Sequence, residues 1–529
     1  MKTMLLTLTL IALALIATAP SASAEPAKVR GWIFLDKDEE YMRSALPKAR
    51  EMGINHVEFS HDIVMTAEEM LYHKDVTAML KRLTRLYKAN GIETFAWTHE
   101  FEGVPAEFMK GERIDLDNPR FWEWLGDKYR AVFKAIPDLD GLVLTMSETW
   151  RTPMRDEFFE TDLDRAQRIT KIVTTIHDAI APMGKRIWVR TWGNLSSAGL
   201  RDILPQIKEG IENCPPDVAV HNKHTASDFY FLARSPLIGT FGNRDEIIEF
   251  DPAGEFHGQA VVPWCAPEYY KADWDFCLAK GADGAVARVD RMANNALDTP
   301  NEVTIYALSR YLRDPSATPE QCWKEWTAKR FGPDAARVAE SALAKTDEII
   351  TKTFFTFRCY WMNDHSNVPD YTYSPSHLKG SSAKDIDPEL AEGEPKLLNP
   401  TPESLAQVLA EKDRAISLCR EAISEIDAAK DKFRPDDYTW LMRYVEKELL
   451  FAKVYRSLNE VYFRTELVKK NLDTREDMET AIQTLLGYAD YIDRRFGPNK
   501  RLVCTFKPRG FMAIRIREFV EQARKEVDK

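Results

Sequence analysis

The fold is indicated by residues 139–192, LDGLVLTMSETWRTPMRDEFFETDLDRAQRITKIVTTIHDAIAPMGKRIWVRTW. Two apolar runs, LDGLVLTMSE (139–148) and KRIWVRTW (185–192), flank an amphipathic stretch over residues 164–181. Gly184 stands where that helix would end and the next strand begin, as a left-handed helix-terminating residue does. The stretch therefore predicts a strand, a helix and a second strand, the repeat from which parallel sheets are built.

The same kind of run recurs along the chain between residues 29 and 290. The further runs are VRGWIFLD (29–36), INHVEFS (54–60), IETFAWTHE (92–100), DVAVHNKHT (217–225), GQAVVPWC (258–265) and GADGAVARVD (281–290). Eight strand-and-helix units in about 270 residues are typical of an α/β fold of the (β/α)8 TIM barrel type. We therefore predict a catalytic barrel over residues 25–300.

Beyond residue 300 the pattern becomes helical. Helices are predicted over residues 303–312, 319–331, 334–354, 436–472, 474–495 and 510–527, with another opening at Thr401-Pro402-Glu403. We predict an α-helical C-terminal domain over residues 301–529. Its role would be structural, either closing one side of the barrel cleft or forming a homodimer. The aromatic loop 361–373 either reaches the active site or lies on the surface.

The first 24 residues have the pattern of a secretory signal peptide. Lys2 is followed by an apolar core over residues 5–17 and by Ala22-Ser23-Ala24, a small-residue cleavage site. We predict cleavage after Ala24 and a secreted or periplasmic protein. That core is too short for a membrane anchor, and no later run would span a bilayer. A net charge of −11 with dispersed basic residues argues against nucleic acid as a partner.

In a TIM barrel the active site lies at the C-terminal ends of the strands. Polar and aromatic residues gather there, as a sugar-binding mouth would require, although each alone could simply mark the end of a strand. They are Asp36, His61, Asp62, His99, Glu100, Glu148, Arg190, Trp192, Lys223, Trp264, Asp290 and Arg291.

Glu148, Asp228 and Glu255 are the candidate catalytic carboxylates. Glu148 follows the apolar run GLVLTMS, where partial burial raises a carboxyl pKa and suits a general acid. Asp228 and Glu255 lie in KHTASDFYFLARSPLIGTFGNRDEIIEFDPAGEFHGQ (223–259). Opposed to Glu148 they could activate a water, as in inverting glycosidases. Which of the two is the base stays open, because paired acids titrate together. The alternative for each acid is a surface or salt-bridged carboxylate.

Substrate-binding candidates surround these acids. Arg190 and Lys223 end neighbouring strands and could bind an anionic substrate group, which arginine can do with two hydrogen bonds. His99, Trp192 and Trp264 could contact the sugar, although a buried position is the commoner one for tryptophan in a barrel. A hydrolysis of this kind needs no cofactor or metal, only water and an oligosaccharide substrate.

Residues 223–259 resemble the corresponding part of the family 67 glycoside hydrolases, the α-glucuronidases of xylan breakdown. The family pattern is a Lys, an Asp-Phe pair and EF-x4-E-[YF]-x-G-Q, which Lys223, Asp228-Phe229 and EFDPAGEFHGQ (249–259) match. Ser147-Glu148 is similar to the pair that holds the family's general acid, and Arg190 in IWVRTW is similar to its uronate-binding arginine. YALSRYLRDPSATPEQCWKEWTAKRFG (306–332) resembles the family's passage from barrel to helical domain.

The resemblance implies an exported, exo-acting, inverting α-glucuronidase-like hydrolase that removes a terminal uronic acid from a plant or algal polysaccharide fragment. The sequence departs from the family at Leu144, where the family has a uronate-contacting lysine, and at Thr149-Trp150-Arg151, which replace a glycine-rich stretch. The family also has a β-rich domain before its barrel. These departures indicate the same machinery on a different substrate.

Other functions stay open. The same machinery could act on a neutral or amino sugar, although the amino-sugar mechanism would need an adjacent acid pair that MSET lacks. A non-catalytic carbohydrate-binding barrel would not need all three acids. A metal-dependent hydrolase built on His61, Asp62 and His99 is a further hypothesis, which no HxH or HExxH motif supports.

Overall fold

The computed structural model describes residues 25–146, 149, 151–191, 200–226, 228–230, 233–361, 366–372, 388–497 and 512–529. The predicted signal peptide therefore lies outside the described residues.

A closed barrel of eight parallel strands forms the N-terminal part of the chain. Each strand pairs with the next in sequence, and the eighth closes the ring on the first. The strands are β1 (Val29–Phe34), β2 (His56–Phe59), β3 (Glu93–His99), β4 (Gly141–Thr145), β5 (Arg186–Arg190), β6 (Ala219–Lys223), β7 (Glu246–Phe250) and β8 (Gly284–Arg288). The (β/α)8 prediction is confirmed.

Helices surround the barrel and cover the outward-facing apolar residues of its strands. They are α1 (Glu39–Ser44), α2 (Leu46–Glu51), α3 (Ala67–Tyr72), α4 (Lys74–Lys88), α5 (Pro119–Ala135), α6 (Arg165–Ile180), α7 (Leu200–Glu212), α8 (Pro267–Ala279) and α9 (Glu302–Arg313). The connection from β6 to β7 differs, because its described residues (224–226, 228–230 and 233–245) form turns and bends instead of a helix. The loop that carries Asp228 takes the place of a helix in this connection.

The prediction for the seventh strand was wrong. Residues 258–265 (GQAVVPWC) form turns and a buried loop, and β7 is EIIEF at Glu246–Phe250. Glu255 therefore follows the seventh strand, whereas Asp228 follows the sixth, as predicted. The two acids lie on loops that leave neighbouring strands.

Alternate residues of each strand point into the barrel, as the period of two requires. The lower interior is an apolar cluster that includes Phe95, Val143, Trp188 and Ile247. Towards the C-terminal ends of the strands the inward positions become charged. Charged groups in such a place are stabilised only when they are paired with one another.

The region after the barrel is mainly helical in its described parts, with one short antiparallel pair formed by Phe355–Thr356 and Cys359–Tyr360. Its helices are α10 (Pro319–Phe331), α11 (Pro333–Leu343), α12 (Thr346–Phe354), α13 (Pro388–Leu398), α14 (Pro402–Ala428), α15 (Pro435–Lys469), α16 (Arg475–Phe496) and α17 (Met512–Val527). None of the helices in the described residues is long and apolar enough to cross a membrane.

Helix α9 belongs to the barrel in space. It packs on β1 and β8, and the backbone NH of Ala27, ahead of β1, donates to the Leu312 carbonyl at 2.8 Å. The boundary expected at residue 300 thus falls between the eighth strand and its own helix. This arrangement places the start of the helical region against the barrel wall.

The helical region also covers the loop that follows β7. The Trp264 Nε1 donates to Asp347 at 2.8 Å, and the backbone NH of Cys265 donates to the Thr346 hydroxyl at 2.8 Å. The Ser366 hydroxyl donates to the Glu255 carbonyl at 3.0 Å and accepts from the Gly258 NH at 2.9 Å. One side of the barrel mouth is therefore built on the C-terminal helices.

Candidate active site

Glu249, on β7, is the buried anchor beneath the barrel mouth. Its carboxylate has no exposed surface and accepts hydrogen bonds from Arg190 at 2.8 and 3.1 Å and from Arg288 at 2.7 and 3.0 Å. Burial alone would raise the pKa of Glu249, but the two guanidinium groups outweigh it and hold the pKa well below its usual range. Glu249 therefore fixes two arginines at the top of the barrel interior.

A second buried carboxylate lies below Glu249. The Glu58 carboxylate accepts a hydrogen bond from Trp97 Nε1 at 2.7 Å, and His221 Nε2 lies 3.3 Å from it. Burial would raise the pKa of Glu58, but the His221 and His56 imidazoles outweigh it and bring the pKa to about 2. The Arg190 guanidinium lies over the Trp97 ring at 4.5 Å. This layer connects the charged mouth to the apolar floor.

Glu255 is held by arginines on both of its oxygens. The Arg288 guanidinium, already bonded to Glu249, donates to Oε2, and Arg291 donates to Oε1 at 2.8 and 2.9 Å. Arg291 also donates to Asp62 at 2.7 Å. Arg288 thus links the two glutamates of β7 and its loop, and only 4% of the Glu255 side chain is exposed.

Asp251 gives the Glu255 loop its shape. Its carboxylate accepts the backbone NH of Glu255 at 2.7 Å and that of Gly254 at 3.2 Å, which closes a tight turn. Gly254 has a φ of +74°, a left-handed conformation that favours glycine. Burial raises the pKa of Asp251 to about 7. This turn therefore accounts for the sequence spacing between Glu249 and Glu255 that resembles the family 67 pattern.

Asp228 lies at the open side of the cluster. Its Oδ1 accepts a hydrogen bond from Lys223 Nζ at 2.6 Å and from the Phe229 NH at 3.0 Å, and 24% of its side chain is exposed. Lys223 Nζ and the Arg288 guanidinium both lie over the Phe229 ring, at 4.3 and 4.6 Å. Burial lowers the pKa of Lys223, while Asp228 opposes that shift. Phe229 therefore joins the Asp228 side of the site to the Glu255 side.

The remaining predicted site residues occupy different positions. Arg190, Lys223, Asp228 and Glu255 form this cluster. His99 is buried with its Nδ1 3.0 Å from the Met65 carbonyl. Glu148 and Trp192 lie outside the described residues.

Trp264 lies on the helical side of the β7 loop. Its ring stacks on His257 with 3.9 Å between centroids, and only 3% of the residue is exposed. Within the described residues, Trp264 therefore contacts protein groups that lie between the barrel and α12.

Glu100 turns away from the mouth. Although it follows β3, its carboxylate accepts hydrogen bonds from Lys128 and Tyr129 of α5, both at 2.5 Å. These contacts tie β3 to its surrounding helix.

Asp36 and Asp290 form an acidic pair on the β1 and β8 side, the first half-buried and the second fully buried. Asp290 accepts the Leu35 NH at 2.7 Å, and Asp36 accepts the Ala293 NH at 2.6 Å. Burial raises the pKa of Asp36 to about 6 and raises that of Asp290 well above its usual range. Their described bonds are to backbone groups, so they shape the loop that leads to Arg291.

His61 and Asp62 lie beside this pair. His61 Nε2 is 3.7 Å from the Asp62 carboxylate, and the His61 and His99 rings meet edge to face at 6.1 Å. Within the described residues, no group of three His, Cys, Asp or Glu side chains could hold a metal ion.

Sequence reasoning did not identify Glu249, Arg288, Glu58 and His221 as site residues. Each stands at an inward position of a strand, two residues from an apolar inward neighbour in most cases. A charge inside a barrel strand is the signal that could have identified them, because it needs a buried partner. The misplacement of β7 hid this signal for Glu249.

The fold has relatives among solved structures, although no protein-family model and no curated protein matches the chain. It is similar to a GH138 enzyme targeting pectin rhamnogalacturonan II, with a TM-score of 0.60 and 12% identity over 98% of this chain and 69% of that one. CpGH84B matches with a TM-score of 0.44 and 9% identity over 94% of this chain and 77% of that one. These structural neighbours are glycoside hydrolases, and at such identities the likeness concerns the fold.

Proposed function

We propose that this protein is a glycoside hydrolase that uses paired carboxylates at the barrel mouth to hydrolyse a sugar by inversion. The observation that carries the proposal is the cluster around Arg288. Asp228 and Glu255 come from loops after two neighbouring strands, and they meet on either side of Phe229 and Arg288. This is the end of the barrel at which barrel enzymes place their active sites.

The proposed reaction needs an acid opposite this cluster. Glu148 follows β4 in the sequence, and in the ring of eight strands β4 lies opposite β8, three strands from β7 and two from β6. It would protonate the leaving oxygen while an acid of the cluster takes a proton from the attacking water. The assignment of Glu148 rests on its sequence position after β4 and on the family 67 resemblance.

The finer proposal is an exo-acting, α-glucuronidase-like enzyme that removes a terminal uronic acid from a polysaccharide fragment. Lys223, Arg190, Arg288 and Arg291 supply hydrogen-bond donors beneath the mouth, each already paired with a carboxylate of the protein, and a uronate carboxylate would have to share them. The fold similarity to an enzyme targeting a pectin agrees with such a substrate. The predicted signal peptide would bring the enzyme to extracellular or periplasmic fragments.

The test is product release from a panel of uronate-decorated and neutral oligosaccharides. Wild type is compared with Glu148→Gln and with Glu157→Gln, a control whose carboxylate is exposed at the surface. We expect wild type and the control to release a uronic acid and Glu148→Gln to lose turnover. Release of neutral sugars alone would refute the proposal of a uronic acid substrate, while the proposed glycoside hydrolase activity would stand. Turnover by Glu148→Gln at the wild-type rate would refute its assignment as the acid.

A specific alternative is a barrel that binds glycans without cleaving them. The internal pairing of Arg190 with Glu249 and of Lys223 with Asp228 would suit a rigid binding mouth. Calorimetric binding of an oligosaccharide that is recovered uncleaved after long incubation would favour this alternative.

A further inference from the structure

We infer that Asp228 is the catalytic base and that Glu255 is a positioning residue. The inference rests on the proposed function and divides the labour between two acids that sequence reasoning treats alike. It is carried by the different hydrogen-bond environments of the two carboxylates.

Glu255 is occupied on both oxygens. Arg288 donates to Oε2, and Arg291 donates twice to Oε1. A general base must offer a lone pair to water and take up its proton. Charged hydrogen bonds from two guanidinium groups stabilise the carboxylate anion and oppose proton uptake. The 4% exposure of the Glu255 side chain also leaves little surface for a water.

Asp228 meets the requirements that Glu255 does not. Its Oδ1 accepts from Lys223 and from the Phe229 backbone, and these two bonds fix the orientation of the carboxylate. Within the described residues, its Oδ2 accepts no hydrogen bond from a protein group. With 24% of its side chain exposed, Asp228 is more accessible to a water in the mouth than Glu255, whose side chain is 4% exposed.

The water oxygen bonds to the anomeric carbon while the glycosidic C–O bond breaks. The water proton passes to Asp228 Oδ2, and the leaving oxygen takes the proton of the general acid. Glu255 would act through Arg288, which it holds over Phe229 next to Asp228.

Azide distinguishes the two roles, because it attacks the anomeric carbon without giving up a proton. Wild type, Asp228→Ala, Glu255→Ala and Glu255→Gln are assayed on the substrate found by the panel, with and without sodium azide. We expect Asp228→Ala to lose about 10²- to 10⁴-fold in kcat and to regain turnover with azide, forming the glycosyl azide. The Glu255 variants should be slower than wild type and gain nothing from azide.

The pH profile supplies a readout that a purely structural defect would not move. The acidic limb of kcat/KM should persist in Glu255→Gln, because the base is still present, and should vanish in azide-rescued Asp228→Ala. Azide rescue of a Glu255 variant but not of Asp228→Ala would overturn the inference. If wild type cleaves no substrate, the proposed function fails and this inference fails with it, whereas an active wild type with the reverse rescue refutes the inference alone.

Discussion

At the residue scale, Glu249 and Glu39 each accept hydrogen bonds from two arginines, the first in the barrel interior and the second at the surface. Glu249 is fully buried between Arg190 and Arg288. Glu39 lies at the surface between Arg43 and Arg82, which donate at 2.8 and 2.6 Å. The contacts are similar, and the solvent around them is not. The Glu249 and Glu39 carboxylates should therefore contribute different amounts to the free energy of unfolding.

We predict that Glu249→Gln lowers the free energy of unfolding by about 3–5 kcal/mol, because it leaves two buried guanidinium groups without their counter-charge. The matched control Glu39→Gln should cost roughly 0–1 kcal/mol, because water and salt screen an exposed pair. Urea unfolding of both variants beside wild type measures the two changes. Equal losses in the two variants would contradict the idea that burial makes Glu249 an anchor.

The same contrast explains which site residues could be predicted from sequence. Lys223, Asp228 and Glu255 stand in a motif with fixed spacing, and Lys223 also ends an apolar run. The structure brings the three residues into one cluster. Arg288 lies within an apolar run, and its role becomes apparent only from its buried partner. The charge within that run signals a buried partner, but the local sequence does not show that the partner is Glu249, 39 positions away.

At the scale of elements, β7 shows why an apolar run is an incomplete signal for a strand. EIIEF carries two glutamates for different reasons: Glu249 is an inward residue of the charged interior, whereas Glu246 is on the other face of the strand and accepts hydrogen bonds from Asn222 and the Gly239 backbone. GQAVVPWC is apolar, because the helical region buries it through contacts such as Cys265 with Thr346. The tertiary surroundings of the two runs determine which of their residues are polar and which are apolar, and those surroundings cannot be read from the local sequence. The other seven strands lie within their predicted runs, although β2, β6 and β8 also carry inward polar or charged residues.

Helix α15 carries a buried acid that no part of the proposed mechanism uses. Glu448 is 1% exposed, and neither of its carboxylate oxygens accepts a hydrogen bond from the described residues. Burial raises its pKa well above the usual value of 4.5. The folded protein therefore keeps a proton that the unfolded chain releases.

The sign of the pH effect follows from this difference. The stabilising contribution of protonated Glu448 is fully present below a pH of 4.5 and is lost as the pH rises towards the folded pKa. In that window stability falls by about 1.4 kcal/mol per pH unit. We predict that Glu448→Met is more stable than wild type at neutral pH and that the gap narrows as the pH falls to about 5.

Thermal unfolding across this pH range measures the gap. Glu446→Met, on the exposed face of the same helix, is the control for the effect of a methionine on the helix itself. A gap for Glu448→Met that stays constant with pH would show that the folded protein holds Glu448 ionised.

At the scale of the whole molecule, the barrel and the helical region share their cores. One apolar cluster joins Cys265 and Val303 of the barrel side to Trp323 and Leu441 of the helices. Trp264, which is buried, donates a hydrogen bond to Asp347 of α12. The loop that holds Glu255 thus depends on the helical region for its burial, so the mouth should lose its shape if the helices unfold.

We predict a single cooperative unfolding transition for residues 25–529, because removing the helices would expose apolar surface of the barrel side to water. Differential scanning calorimetry tests this, with the calorimetric enthalpy expected to equal the van't Hoff enthalpy. Thr346→Val removes the hydroxyl that accepts the Cys265 NH and donates to the Leu343 carbonyl. It should shift that transition to lower temperature without splitting it.

The control for this junction is Thr351→Val on the same helix, whose hydroxyl bonds only within α12 among its described contacts. Its effect should be smaller, because it leaves every bond between the two regions in place. Two separate transitions in wild type would contradict the shared core. In that case the helical region would be an independent domain docked on a self-sufficient barrel, and the loop of Glu255 would owe its shape to Asp251 and the arginines alone.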